Sequence, residues 1–338
     1  MDIVTEVERY LQYRPETVRV HDNVDDFFDI NRGDVVVLDG RYFLISGIAR
    51  ERSFGLDDEP KHWVKYAYEV STGKRKIIKL VFMEQFDLKY GGYVIRCFRS
   101  PAKEGRALEA VWGNPNFMQG CTAASERNKE VRIIDHIAGK PLYSIVEDFG
   151  GSHEAYFHEM LPSILRLLVP ALKALACLHD AGIRHGDIRT DHLMLDKETG
   201  HLRWIDFDYD FIFEEAPFAL DLIGVGHVLS ELIGKGLRTI HNLRAHRNLD
   251  GAIGSMTPAD FSLVEPRRPM NWKKLYPYVP EKLNRISMHF AAGAEIYYES
   301  VSEIVEDLGD ALESMPPAHT DKNRLLPPLA KGDEETAR

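Results

Sequence analysis

Strand-like and helix-like sequence are separated along this chain, and this separation is the strongest constraint on its fold. Apolar, β-branched runs at 35–38 and 42–45 flank an Asp-Gly turn, which predicts a hairpin. A second pair of strands is predicted at 63–70 and 76–81, around a turn of small and polar residues. The first part of the chain therefore contains a sheet.

Four more elements are predicted before residue 150. A short helix, roughly 3–12, precedes the first hairpin, and helical spacing of apolar residues covers 102–112. Continuous apolar runs predict strands over 131–137 and 142–146.

The apolar pattern changes to helical spacing after residue 151. It is clearest over 161–179, where Pro170 predicts a kink, and further helices are predicted over 218–233 and 303–312. A β-rich part followed by a helical part predicts an α+β fold with two lobes.

The chain divides accordingly into four segments. These are an N-terminal extension over 1–33, a β-rich N-terminal lobe over 34–148, a helical C-terminal lobe over 149–315, and a tail over 316–338. The tail is polar and rich in proline, a composition that predicts disorder.

Composition excludes several classes of function. The 338 residues are 44% hydrophobic and 28% charged, which suits a soluble globular protein, and the net charge of −11 argues against binding nucleic acid or anionic membranes. No signal peptide is visible, and no apolar run reaches the roughly 18 residues of a membrane helix. Three scattered cysteines without zinc spacing favour a reducing, cytoplasmic location.

Two acidic residues flank a short hydrophobic hairpin in the helical part. Asp187 lies in the run HGDIRTDHLML at 185–195, and Asp206 follows the strand-like residues 202–205. This arrangement suits phosphoryl transfer, because one carboxylate can orient the attacking hydroxyl while the other holds magnesium against a triphosphate.

This stretch resembles the catalytic loop and metal-binding segment of protein kinases, H-R-D-x-x-x-x-N followed by D-F-G. Other kinase-like segments lie before and after this stretch, in the expected order, over about 34–315. The resemblance implies ATP and magnesium as cofactors, Lys79 as the residue that grips phosphate, and Glu104 as its partner. It also implies that Asp187 is catalytic and that Asp206 holds the metal.

The resemblance assigns adenine-binding and supporting residues as well. The run 142–151 is similar to a kinase hinge, so Val146 would be the gatekeeper and the backbone of Glu147 and Phe149 would contact adenine. Structural support of the catalytic loop would fall to His185 and Asp221.

Several positions depart from the kinase pattern. The glycine-rich loop retains only Gly55 as an ATP-binding glycine, and Gly186 replaces the arginine of H-R-D. His192 stands where an asparagine ligand of magnesium is expected. Asp208 replaces the glycine of D-F-G, and in an extended stretch it would share a face with Asp206. Asp206, Asp208 and His192 are therefore the candidate metal ligands.

The leading hypothesis is an ATP- and magnesium-dependent serine/threonine protein kinase of atypical type. Only fourteen residues, 207–220, separate Asp206 from Asp221, which is too few for a usual activation loop, so control through that loop is not expected. The HGD and IDFD motifs also resemble those of aminoglycoside, choline and lipopolysaccharide kinases, which keeps a small-molecule kinase open. The degraded glycine loop and His192 keep a nucleotide-binding pseudokinase open. The phosphate acceptor is not specified.

Overall fold

The computed structural model describes residues 3–11, 16–51, 59–90, 93–125, 129–245 and 247–315. A seven-stranded sheet dominates the first part, and helices dominate the second. The predicted α+β class, with a β-rich N-terminal lobe and a helical C-terminal lobe, is therefore confirmed. The tail for which disorder is predicted, 316–338, lies outside the described residues.

The large sheet is antiparallel apart from its first edge. In spatial order it consists of β1 (Val20–His21), β2 (Val35–Leu38), β3 (Arg41–Glu51), β4 (Glu59–Glu69), β5 (Arg75–Lys79), β9 (Glu130–Asp135) and β8 (Gly120–Ala124). Both predicted strand pairs are confirmed. Asp39 and Gly40 have φ of 47° and 71°, the conformation of a two-residue turn whose twist matches that of the hairpin.

The segment before the sheet is packed onto it. Val7 of α1 (Ile3–Leu11) is buried in a cluster with Val35 and two other apolar side chains of the sheet. Lys65 on β4 donates from Nζ to the carbonyl oxygens of Phe27 and Ile30, at 2.9 and 2.7 Å. The N-terminal extension is thus joined to the β-rich lobe.

A hairpin that the sequence pattern did not predict follows β5. Its strands, β6 (Gln85–Tyr90) and β7 (Tyr93–Arg99), pair with each other, and β7 also pairs with β13 (Tyr209–Ile212). Helix α2 (Pro101–Ala110) begins directly after β7, and the side chain of Ser100 caps it by accepting the N–H of Lys103. This helix confirms the one predicted over 102–112.

The helical lobe is built around α5 (Leu161–Asp180), whose apolar stripe is buried in a large core. The other helices are α3 (Leu142–Glu147), α4 (His153–Glu159), α6 (Ala219–Ile233), α7 (Ile240–Leu243), α8 (Asp250–Gly254), α9 (Trp272–Leu275), α10 (Glu281–Met288) and α11 (Val301–Glu313). A small antiparallel sheet contains β10 (Gly139–Pro141), β11 (Leu193–Asp196) and β12 (Leu202–Trp204). Among the described helices, α5 alone has the length and apolar character to cross a membrane, and 67% of that stretch is buried in the protein.

The predicted strand that begins at Leu142 is wrong, because this stretch forms helix α3. Leu142, Ile145 and Val146 are buried in the core of the helical lobe, at positions i, i+3 and i+4 of the helix. A short apolar run does not by itself distinguish a strand from a buried helix. Residues 136–138 connect β9 of the large sheet to β10, which pairs with β11 of the small sheet.

Candidate active site

Lys79, at the end of β5, is the centre of a buried ion-pair network. Its Nζ lies 2.6 Å from Oε1 of Glu104 in the first turn of α2, and 2.6 Å from Oδ1 of Asp206. Oδ2 of Asp208 is 3.1 Å away. The fold thus brings together a lysine, a glutamate and two aspartates from three separate parts of the chain.

Arg132 on β9 holds the other oxygen of Glu104, with Nε 2.9 Å from Oε2. Burial alone would lower the pKa of Lys79, but the carboxylates of Asp206, Asp208 and Glu104 outweigh burial and raise it. Lys79 therefore remains a cation. Sequence reasoning missed Arg132, although a charged residue inside an otherwise apolar strand was a visible signal.

Asp206 and Asp208 form an oxygen-rich cluster with Glu104, in which one ligand atom of each lies within 4.8 Å of the others. Asp206 has φ of 62°, a left-handed conformation that is uncommon outside glycine. Asp208 is 3% exposed, and its Oδ2 is 2.7 Å from Nη1 of Arg99, a residue of β7 that sequence reasoning also missed. Oδ1 of Asp208 has no hydrogen-bond partner among the described residues. Oxygen donors and an orphaned buried oxygen fit Mg²⁺.

His192 lies beside this cluster. Its Nδ1 is 2.8 Å from the carbonyl oxygen of Asp187, and its Nε2 is 3.1 Å from Nη2 of Arg189. Because a carbonyl oxygen can only accept, Nδ1 is the donor in the first of these contacts. Nε2 is also 3.6 Å from Oδ2 of Asp206, so the imidazole lies between the two predicted acids. The group of mutually close ligand atoms contains Glu104 but not His192.

Asp187 retains some access to solvent, with 21% of its side chain exposed. Burial of the carboxyl raises its pKa, although the nearby charges of His192 and Arg189 oppose the shift. A carboxylate with a raised pKa accepts a proton more readily, which suits a base acting on an incoming hydroxyl.

Asp221 on α6 fixes the loop that carries Asp187. Its two carboxylate oxygens accept the backbone N–H groups of His185 and Gly186, at 2.6 and 2.8 Å. Gly186 has φ of 89°, and a Cβ there would lie 1.9 Å from the carbonyl oxygen of Tyr209. No side chain fits at position 186, which accounts for glycine where the kinase pattern has arginine. His185 is fully buried, and burial lowers its pKa to about 3, so it packs as a neutral ring.

Lys103 is a third residue that sequence reasoning missed. It precedes Glu104 in α2, and its buried Nζ donates to the carbonyl oxygens of His185, Phe207 and Tyr209 at 2.7, 2.8 and 3.0 Å. Burial lowers the pKa of Lys103 to about 8. Helix α2 is therefore tied to both acid-bearing segments.

The predicted adenine-binding residues lie in the helical lobe. Val146 is buried in the core of that lobe, and Glu147 and Phe149 lie at and beyond the end of α3. They were assigned from the resemblance of 142–151 to a kinase hinge; in the structure Leu142–Glu147 is helix α3, and residues 136–138 connect β9 to β10. Gly55 lies outside the described residues.

No family model matches this sequence. The chain is 30% identical over 105 residues to CBL-interacting protein kinase 22 of Oryza sativa subsp. japonica; the match covers 31% of this chain and 22% of that relative, so it spans less than a quarter of the relative's length. Among solved structures, the chain is similar to the PknI kinase domain of Mycobacterium tuberculosis, with a TM-score of 0.48, 12% identity, and coverage of 80% of this chain and 96% of that chain. It is also similar to the Cydia pomonella granulovirus kinase PK-1, with a TM-score of 0.46, 15% identity, and coverage of 77% and 92%.

Both of these solved structures are of kinases. The chain is also similar to the CAK complex of Chaetomium thermophilum bound to ATP-gamma-S, with a TM-score of 0.48, 14% identity, and coverage of 76% of this chain and 88% of that chain. At this level of similarity, the activity of this chain is inferred from its own side chains.

Proposed function

We propose that this protein is an ATP- and Mg²⁺-dependent phosphotransferase, an atypical serine/threonine protein kinase. The proposal is carried by the buried junction of Lys79 with Glu104 and Asp206. Asp187 lies on the neighbouring loop, next to His192 and hence to Asp206. Phosphoryl transfer requires a cation that binds phosphate, a carboxylate that orients this cation, an acidic residue that holds a metal, and a separate base. The side chains named above supply these four groups.

Nucleotide binding would shift the partners of Lys79. Its Nζ would leave Asp206 for the phosphate oxygens and keep its contact with Glu104, which Arg132 holds in place. Asp206 and Asp208 would hold Mg²⁺, whose charge would neutralise that of the phosphates. Lys79 and the acids are positioned before the substrate arrives, which lowers the reorganisation needed in the transition state.

Asp187 would act on the acceptor. Its carboxylate would orient the hydroxyl and take its proton as the hydroxyl oxygen bonds to the γ-phosphorus. The bond from that phosphorus to the bridging oxygen breaks, and ADP leaves with the electron pair. Asp221 supports this step indirectly, because it holds the backbone on the N-terminal side of Asp187.

For two parts of the nucleotide site, we propose residues other than those assigned from the sequence. We place adenine against the backbone of 136–138, since this segment connects the sheet to the helical lobe. Lys61 on β4 is our candidate for an additional phosphate contact where glycines are missing. Burial raises the pKa of Asp206, but the nearby charges of Lys79, His192 and Lys61 bring it well below its usual value.

One observation favours a small-molecule acceptor as the second candidate. The chain after Asp206 enters β13, which is paired with β7, so residues 209–212 are committed to a sheet. With four of the fourteen residues 207–220 paired in this sheet, little free loop remains as a platform for a peptide. The three cysteines, Cys97, Cys121 and Cys177, are free, and we propose a cytoplasmic location for either kinase.

The test combines binding and turnover. Thermal unfolding is followed with ATP, with and without Mg²⁺, since a ligand that binds the folded state raises its stability. Phosphate transfer from labelled ATP is then compared across generic protein acceptors, sugars and amino alcohols. The proposal expects a Mg²⁺-dependent shift and transfer that Asp187→Asn reduces while the shift remains. A shift without any transfer would indicate a nucleotide-binding pseudokinase, and equal turnover by Asp187→Asn would refute the assigned role of Asp187.

A further inference from the structure

The hairpin β6–β7 is inserted between the two residues that define the nucleotide site. Lys79 ends β5, Glu104 is 25 residues further along the chain in the first turn of α2, and the hairpin occupies most of the stretch between them. Its strand β7 forms an antiparallel ladder with β13, from the pair Tyr209 and Arg99 to the pair Ile212 and Arg96. The chain that follows the metal-binding acids is thereby part of a three-stranded sheet.

Arg99, the last residue of β7, connects this sheet to the acids. Its Nη1 is 2.7 Å from Oδ2 of Asp208 and its Nε is 2.9 Å from Oε2 of Glu84. The hydroxyl of Tyr209 donates to the same Glu84 oxygen at 2.6 Å, and the guanidinium carbon of Arg99 lies 4.2 Å from the centre of the Tyr209 ring. Arg99 is 8% exposed and the Asp208 side chain 4%, so this pair lies in a region of low dielectric constant, where it is strong.

The same junction holds helix α2. The N–H of Ser100, which caps α2, donates to the carbonyl oxygen of Asp208 at 2.7 Å. Lys103 in the first turn of α2 donates to the carbonyls of Phe207 and Tyr209. Movement of Glu104 away from Lys79 would therefore require breaking contacts on both sides of Asp208.

We propose that the hairpin is a built-in clamp that keeps the nucleotide site assembled without phosphorylation of 207–220, and that Arg99 is its positioning residue. Arg99 acts through Asp208, because its guanidinium holds Oδ2, while Oδ1 has no hydrogen-bond partner among the described residues and would be available to a cation. This inference rests on the proposed function. A phosphorylated loop orders its segment through new pairs between phosphate and arginine; here Arg99 already pairs with a carboxylate from the segment itself.

The experiment compares Arg99→Met and Arg99→Lys with Arg96→Met. Arg96 is on the same hairpin and pairs with Asp87 at the surface, with 60% of its side chain exposed, so it is a matched control. Intact mass first establishes that the purified protein carries no phosphate. Amide hydrogen exchange is then measured on the ligand-free protein over 101–104 and 209–212. The Mg²⁺ concentration that gives half of the ATP-dependent thermal shift is measured on the same variants.

We expect the unphosphorylated, unaltered protein to show the complete thermal shift with Mg²⁺ and ATP. Arg99→Met should accelerate exchange in both segments and raise the Mg²⁺ requirement about 10- to 100-fold, as for other residues that orient a metal ligand. Arg99→Lys should recover part of the loss, since it retains the charge but not both hydrogen bonds, and Arg96→Met should match the unaltered protein.

Unchanged exchange in Arg99→Met, or binding that develops only after phosphorylation, would overturn the clamp. If the unaltered protein binds no nucleotide at all, the proposed function fails, and hydrogen exchange in the ligand-free variants still decides whether Arg99 holds the two segments together.

Discussion

The ammonium group of Lys79 lies 2.6 Å from a carboxylate oxygen of Glu104, and neither side chain is more than 5% exposed. The lysine is at the end of a strand, the glutamate is on a helix, and a whole hairpin separates them in sequence. This pair sets the direction in which Lys79 presents its charge to Asp206 and to an incoming phosphate.

Replacing Lys79 with Met should abolish the thermal shift caused by Mg²⁺ and ATP and reduce phosphate transfer at least about 100-fold, because the main cation for phosphate is lost. The change also leaves buried carboxylates uncompensated, which should lower the free energy of unfolding by about 3–5 kcal/mol. Assays are therefore run well below the new melting temperature. Lys74→Met alters an exposed lysine in the turn before β5 and is the control. Transfer retained by Lys79→Met would contradict the assignment.

Replacing Asp208 with Asn should raise the Mg²⁺ concentration needed for ATP binding by about 10-fold. Asparagine keeps a hydrogen-bond acceptor for Arg99 but removes the charge from the orphaned Oδ1. The dependence is measured by thermal shift at fixed ATP and varied Mg²⁺. Asp210→Asn is the matched control, since Asp210 faces Arg184 and not Lys79. Equal Mg²⁺ dependence in the two variants would remove Asp208 from the metal site.

Replacing Gly186 with Ala should destabilise the fold by roughly 1–3 kcal/mol from its left-handed backbone alone, with the clash against Tyr209 added to that. Gly251→Ala, in a short helix with nothing within 4 Å of the new Cβ, should leave stability unchanged or slightly raised. Denaturant unfolding of the two variants gives the comparison. Similar stability of both would show that the loop relaxes freely around position 186.

The pH dependence of transfer should report Asp187. Because burial raises the pKa of Asp187, and because the ionised form is the one that accepts a proton, kcat/KM should fall as pH decreases through a value above the ordinary aspartate pKa of 3.8. The residual activity of Asp187→Asn should lack this acidic limb. A limb that persists in the variant would assign the titration to another group.

Stability should decline as pH falls below about 6.5. Burial lowers the pKa of His153 to about 4, and the pKa values of His185 and His227 to about 3. The unfolded chain therefore takes up these protons at a higher pH than the folded chain, so the stability is fully present above pH 6.5 and is lost below it. Each histidine contributes at most about 1.4 kcal/mol per pH unit.

Urea unfolding between pH 7 and 5 measures how steeply the free energy of unfolding depends on pH. His227→Gln removes one proton site and retains a polar group toward Ser262, so it should flatten the dependence. An identical slope in the variant would show that His227 does not titrate on unfolding.

The elements that were predicted correctly have a long periodic pattern of apolar residues or end at characteristic turn residues. The stripe of α5 and the hairpin at Asp39-Gly40 are encoded locally, since helical spacing and turn residues act within a few positions. The prediction of a strand at 142–146 was wrong because α3 has only six residues, too few to distinguish the helical from the strand period of apolar residues. The hairpin β6–β7 was missed because its mixed polar and aromatic strands face a partner, β13, that is more than 100 residues away.

The sequence by itself determined which chemical groups are present and in what order: a lysine at the end of a strand, a glutamate in a following helix, and acids on either side of a short hairpin. Only the tertiary structure decided that Arg132 fixes Glu104, that Lys103 links α2 to the loops, and that Arg99 pairs with Asp208. The physical reason is that burial strengthens the interactions that these cations make. A lysine or arginine is ordinarily solvated, and only packing from distant segments places it in a region of low dielectric constant next to its carboxylate or carbonyl partners.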